Sequence, residues 1–296
     1  MSSTVFLDYN QAELDRQYDQ RAWASNAVEV IERYAAESNN VRARLGSPRT
    51  FAYGKTPAET IDVYPADRRD APMHVFIHGG AWRSLSKHES AFAAETFVNA
   101  GAHFVAVDFA LLPEVSLAEM VDQVRRAVAW IYSNAEQLGG DRERLFLSGH
   151  SSGGHLAGAI LTTDWPGQFS LPATVIKGGL CVSGIYDLHP VRLSTRNDYV
   201  RLGVEMEREL SPCRFVEHLT CPVVLAYGEF ESDEFKRQSR TFASLIERTG
   251  LDVRLIEGRG LNHFEIVETL AEPTGLLGRI ALAQMDSQRV ERWAGR

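Results

Sequence analysis

From residue 73 onward the chain repeats one pattern, a short apolar run followed by a longer stretch with apolar positions three and four apart. Runs at 73–77, 104–107, 145–147, 175–182, 222–227 and 253–256 read as buried strands. The 175–182 run is broken by Gly178-Gly179. Between these runs the pattern predicts helices over 88–100, ended by Gly101, over 116–138, and over 233–249. Leu117, Val121, Val124, Val128 and Ile131 form the apolar stripe of the second helix; Phe235, Phe242, Leu245 and Ile246 form that of the third. Residues 274–293 read as a closing helix. Strands alternating with helices imply βαβ units and a mostly parallel central sheet flanked by helices.

The chain departs from this rhythm in three places. Residues 8–45 are polar, with apolar positions at Leu14, Tyr18, Trp23, Val28, Ile31 and Tyr34, and predict one or two amphipathic helices closed by Gly46-Ser47-Pro48. Residues 51–53 and 60–64 read as a short antiparallel pair. Residues 184–220, with Pro190 and Pro212, show no clear strand. An insertion there lies over the C-terminal edge of the sheet, where such folds bind ligands, and is expected to form a lid together with the N-terminal helices. The expected division is a helical segment over 1–48 and one α/β domain over 49–296.

Composition narrows the function. The 296 residues carry a formal net charge of −8, with 44% hydrophobic and 24% charged residues. No basic cluster accompanies that balance, which argues against nucleic acid or an anionic membrane as partner. Cys181, Cys213 and Cys221 form no CxxC pair and read as free thiols of a reducing compartment. The start of the chain lacks a signal-peptide pattern and no run has the length of a membrane span, so a cytoplasmic protein is expected. Gly54-Lys55-Thr56 mimics the end of a P-loop, but Arg49 stands where its first glycine belongs. No dinucleotide fingerprint and no metal-ligand spacing is present, so neither a cofactor nor a metal is expected. His150 and His155 are expected to pack rather than ligate.

The chemistry centres on Gly149-His150-Ser151-Ser152-Gly153, which fits G-x-S-x-G between an apolar strand and a small-residue helix. That context makes a sharp strand-to-helix turn with Ser151 at its tip, next to backbone N–H groups that favour developing negative charge. Gly149 and Gly153 leave the turn room, and Gly154 lets the helix approach its strand. His78-Gly79-Gly80-Ala81-Trp82 follows the strand at 73–77. A glycine pair there lets backbone N–H groups of Gly79 and Gly80, with that of Ser152, meet an oxyanion. His263 is the histidine that follows the acid candidates, as the order nucleophile, acid, histidine requires. Glu231, in the loop after the strand at 222–227, is the preferred acid. Asp233 is the alternative, although its place at a helix start has a simpler explanation, and Asp187 is a weaker third. Trp82 either lines the substrate pocket or packs.

These motifs resemble the α/β-hydrolase fold in its HGG-containing esterase and lipase branch. The closer resemblance is to the kynurenine formamidase (arylformamidase) group, from about residue 50 to the C-terminus, with the N-terminal helices and Tyr18 resembling that group's leading segment. The loop 231–239 is similar to that group's acid loop. Three departures stand out: Ser152 where related enzymes often have alanine, Glu231 where an aspartate is usual, and 108–113 without the group's tyrosine–arginine pair.

The expectation is therefore a cofactor-independent serine hydrolase with Ser151, Glu231 and His263 as triad. The resemblance implies that it cleaves a small formyl or acyl arylamide through an acyl-enzyme. A short-chain carboxylesterase is the alternative, and a non-catalytic ligand-binding protein of the same fold is the remote one. The expected partner is a small-molecule amide or ester; an exposed lid or edge strand leaves room for a homodimer.

Overall fold

The computed structural model describes residues 3–286. Its centre is an eight-stranded sheet in the order β1-β2-β4-β3-β5-β6-β7-β8. The strands are β1 (Arg49–Ala52), β2 (Thr60–Tyr64), β3 (Ala71–Ile77), β4 (His103–Val107), β5 (Gly140–His150), β6 (Gly178–Val182), β7 (Val223–Gly228) and β8 (Val253–Gly258). The β1–β2 and β2–β4 pairings are antiparallel and the remaining pairings are parallel. This is the expected mostly parallel α/β sheet.

Alternation along each strand divides the core into two layers. Ile61, Val63, Met73, Val75, Ile77, Val105, Leu145 and Leu147 share one buried cluster with Leu117, Val121, Val124 and Val128 of the helix Leu117–Ser133, and with Phe235 and Phe242 of the helix Asp233–Glu247. Tyr64, Phe76, Phe104 and Phe146 belong to the other cluster, with Val30 and Tyr34 of the helix Ala27–Leu45 and Leu277 and Ile280 of the helix Leu276–Met285. Both faces are covered, so β3 is buried at every position.

Several elements differ from expectation. The helix over 88–100 is two 3-10 turns, Lys87–Glu89 and Ala91–Ala93, before a short helix, Ala94–Asn99. Ser86 caps the first turn and Ser38 takes the N–H of Phe92, so side chains compete there with helical bonding. The helix over 116–138 ends at Ser133, where Asn134 bonds back to the carbonyl of Trp130; a single turn, Ala135–Leu138, follows. Gly178 and Gly179 do not interrupt β6 but begin it: a Cβ on either would press on Phe146 or Leu161. The part of the closing helix beyond residue 286 lies outside the described residues. The 184–220 stretch forms short helices, His189–Leu193, Asn197–Val200 and Val204–Glu209, and two 3-10 turns. No helix among the described residues is long and apolar enough to cross a membrane.

Candidate active site

The strand-to-helix turn after β5 holds Ser151 at φ 58°, ψ −120°, a conformation rarely adopted by residues with a Cβ. The neighbours explain how it is held. A Cβ on Gly153 would overlap the carbonyl oxygens of Ile77 and His78, and one on Gly149 would overlap the carbonyl of Gly153. The N–H of Ser151 donates to the carbonyl of Val182 at the end of β6. The serine therefore stands at the C-terminal edge of the sheet, ahead of the helix Ser152–Leu161.

His263 arrives from the loop after β8. Its Nε2 lies 2.9 Å from Ser151 Oγ. Glu231 lies behind it, with Oε2 3.5 Å from His263 Nδ1. The other oxygen of Glu231 accepts from the N–H of Gly228 at 2.7 Å and from the Ser183 hydroxyl at 2.5 Å. Both Oε2 and Nδ1 are buried without a closer partner, so each is the other's natural complement. Asp233 lies exposed in the first turn of the helix capped by Ser232. The structure thus brings Glu231, rather than Asp233, to the histidine.

The glycine loop meets the elbow from β3. Gly79 sits tight against it: a Cβ there would stand 2.8 Å from the His150 carbonyl and 3.2 Å from Ser151 Cβ. Gly80, at φ 105°, and Ala81, at φ 53°, line the cavity with Ser151; Gly79 does not. The N–H groups of Gly80 and Ala81 donate to no acceptor among the described residues. Of the two expected oxyanion glycines, Gly80 lines the cavity, with Ala81 beside it, and Gly79 packs against the elbow. Ser152, at the first turn of its helix, accepts the N–H of Trp82 on Oγ at 3.1 Å and so ties this loop to the elbow.

Trp82 is a packing residue, not a pocket residue. It is 1% exposed, and its indole N–H donates to Nδ1 of His155 at 3.2 Å. His155 Nε2 donates in turn to the carbonyl of Leu210 in the insertion. Burial lowers the pKa of His155 to about 4, so the ring is neutral and both nitrogens are used. His150 is also held neutral, chiefly by burial and then by His263 nearby, and its Nε2–H donates to the His263 carbonyl at 2.8 Å.

Sequence reasoning missed the residues that hold the histidine loop. Asn26 pairs with both Asn262 and Glu265, at 2.8 and 2.7 Å, and the Tyr34 hydroxyl donates to the carbonyl of Phe264. Polar residues on an N-terminal segment carry no local sign of a loop more than 200 positions away. The same segment and the insertion line a cavity of about 810 Å³ over Ser151 and His263, with Tyr18, Tyr34, Arg196 and Tyr199 among its walls.

A nucleophile elbow at the edge of a parallel sheet, with a histidine at its serine and a carboxylate behind that histidine, defines an α/β-hydrolase. The BD-FAE family model matches residues 61–168. Two solved structures share the fold: one from Silicibacter sp. TM1040 (TM-score 0.80, 24% identity, covering 91% of this chain and 98% of that one) and an esterase of Pyrobaculum calidifontis (TM-score 0.68, 20% identity, 94% and 98%). The kynurenine formamidase of Danio rerio is 35% identical over 283 residues, 91% of this chain and 94% of the relative. The chain belongs to the kynurenine formamidase family, and it is a serine hydrolase of the formamidase and esterase type.

Proposed function

We propose that the enzyme hydrolyses N-formyl or small N-acyl arylamides, of which N-formylkynurenine is the leading candidate, through a covalent acyl-enzyme. The single observation that carries this reading is the 2.9 Å contact between Ser151 Oγ and His263 Nε2 at the floor of an aromatic-walled cavity. The relatives named kynurenine formamidase supply the substrate class.

In this reading His263 Nε2 takes the Ser151 proton as Oγ attacks the formyl carbon. The N–H groups of Gly80, Ala81 and Ser152 stabilise the oxyanion. Glu231 keeps the proton of His263 on Nδ1 and stabilises the ring when it becomes charged. His263 then returns its proton to the leaving arylamine nitrogen, which departs as the C–N bond breaks. Water, deprotonated by His263, attacks the formyl-enzyme and releases formate.

The test is kcat/KM for N-formylkynurenine beside p-nitrophenyl acetate and butyrate, with Ser151→Ala as control. A formamide preference of about a hundredfold, roughly 2.7 kcal/mol of transition-state stabilisation, supports the reading. Efficient ester turnover with an inert formamide makes the protein a carboxylesterase. Full activity of Ser151→Ala on every substrate refutes the nucleophile.

A further inference from the structure

β3 and β4 run parallel with Ile77 opposite Val107, so His78 and Asp108 leave the sheet side by side at the root of the glycine loop. The segment 108–113 lacks the tyrosine–arginine pair of the group it resembles, and the residues that stand there seat that loop. The His78 ring lies flat on Phe109, with 4.3 Å between ring centres and 4° between planes. Its Nδ1 is 2.9 Å from the carbonyl oxygen of Gly79. Its Nε2 is buried, makes no hydrogen bond and faces the Asp108 carboxylate at 3.5 Å. Further along, the N–H of Leu112 donates to the carbonyl of Trp82 at 2.8 Å.

A carbonyl oxygen only accepts, so Nδ1 of His78 carries a proton and donates to Gly79. The Gly79–Gly80 peptide is trans, and in a trans peptide the C=O and the following N–H point in opposite directions. The bond that draws the Gly79 carbonyl toward His78 therefore turns the Gly80 N–H away from the ring, and Gly80 lines the cavity with Ser151. The next peptide is fixed separately, because the Gly80 carbonyl accepts the N–H groups of Arg83 and Ser84 at 3.1 and 3.0 Å. His78 thus governs one peptide plane of the loop. Acceptors flank the ring on both sides, an arrangement that suits an imidazolium with a proton on each nitrogen and lets the carboxylate set the angle of the ring.

The geometry points to Asp108 and His78 as a positioning pair for the oxyanion loop. Asp108 sets the angle of the His78 ring, the ring holds back the Gly79 carbonyl, and the Gly80 N–H is thereby aimed at the oxyanion. This deepens the serine-hydrolase reading and rests on it. The backbone of Asp108 is tied independently of its side chain: its N–H donates to the carbonyl of Thr60 at 3.0 Å and its carbonyl accepts the Tyr53 hydroxyl at 2.6 Å. Substitution of the carboxylate leaves both ties in place.

The experiment compares p-nitrophenyl acetate with its thiono analogue, in which sulfur replaces the carbonyl oxygen. Sulfur accepts hydrogen bonds weakly, so a well-aimed amide favours the oxygen ester, and the ratio of the two kcat/KM values reports that aim. The wild type is expected to favour the oxygen ester by about tenfold or more, and Asp108→Ala to lose most of that preference. Asp108→Asn keeps the shape without the charge and is expected to lose less. His78→Phe keeps the stack on Phe109 and removes the donor, so it is expected to lose the preference. His78→Asn places an amide N–H where Nδ1 stands and is expected to restore part of it. With N-formylkynurenine, Asp108→Ala is expected to lower kcat and leave KM nearly unchanged.

An oxygen-to-sulfur ratio that stays at the wild-type value in Asp108→Ala and His78→Phe, while both rates fall together, overturns the inference and leaves the pair as packing beneath the loop. Should the alanine variant not fold, the same unchanged ratio in Asp108→Asn and His78→Phe overturns it. An inert formamide counts against the substrate reading alone, because the ester pair still decides this inference. Full ester turnover by Ser151→Ala removes both.

Discussion

Glu231→Gln removes one charge and keeps the shape of the side chain. Oε1 of Glu231 accepts from the Gly228 N–H and the Ser183 hydroxyl, so the glutamine carbonyl must take that position. Its NH₂ group then falls where Oε2 stands, 3.5 Å from His263 Nδ1. An NH₂ donates and so selects the tautomer with a bare Nδ1 and a proton on Nε2. That proton faces Ser151 Oγ, and the base is lost. A wrong-tautomer triad of this kind costs about 10³–10⁴ in kcat, roughly 4–5.5 kcal/mol. KM should change little, because the substrate does not touch Glu231. The melting temperature should stay within a few degrees, since the two accepted hydrogen bonds persist. The assay is steady-state arylamine release with thermal melting of the same preparation. Retention of more than a tenth of wild-type kcat would refute the argument, and a fatal Asp233→Asn beside a benign Glu231→Gln would move the acid to Asp233.

Trp82→Phe keeps the ring but strands the buried Nδ1 of His155; a loss of about 1–3 kcal/mol is expected, seen as a melting temperature lower by several degrees, with a reduced kcat. Gly80→Ala places a Cβ against the Ser84 carbonyl at a φ of 105°, so the loop must move, and kcat should fall by about a hundredfold or more in steady-state assays. Asn26→Ala releases Asn262 and Glu265 and should lower kcat by roughly threefold to tenfold, with solubility and melting unchanged within a few degrees; wild-type kcat would show that the loop needs no such anchor. Burial lowers the pKa of His74 to about 3 and that of His155 to about 4, against an ordinary 6.5. The unfolded chain therefore binds protons that the folded one refuses, and stability should fall as pH drops from 6.5 toward those values. For His155 this amounts to about 3 kcal/mol. Urea midpoints that stay flat from pH 7 to 4 would contradict it.

Local pattern determined much of this protein. Short apolar runs between amphipathic stretches determined a parallel sheet with helices on both faces, because strand and helix periodicities depend only on near neighbours. G-x-S-x-G after a strand determined the elbow, because only small residues tolerate the approach of Ile77, His78 and Gly153 to that turn. The tertiary structure decided matters of distance. It brought Glu231, not Asp233, to His263, since two residues of loop decide which carboxyl faces inward. It turned Gly79 against the elbow and Gly80 and Ala81 toward the cavity, a difference of backbone torsion that residue types do not encode. It placed Trp82 in the packing between His155 and the guanidinium of Arg196. It also set Asn26, Tyr34 and Arg196 around the site. Their partners lie far along the chain, and a pairing between distant residues exists only once the sheet has brought their elements together.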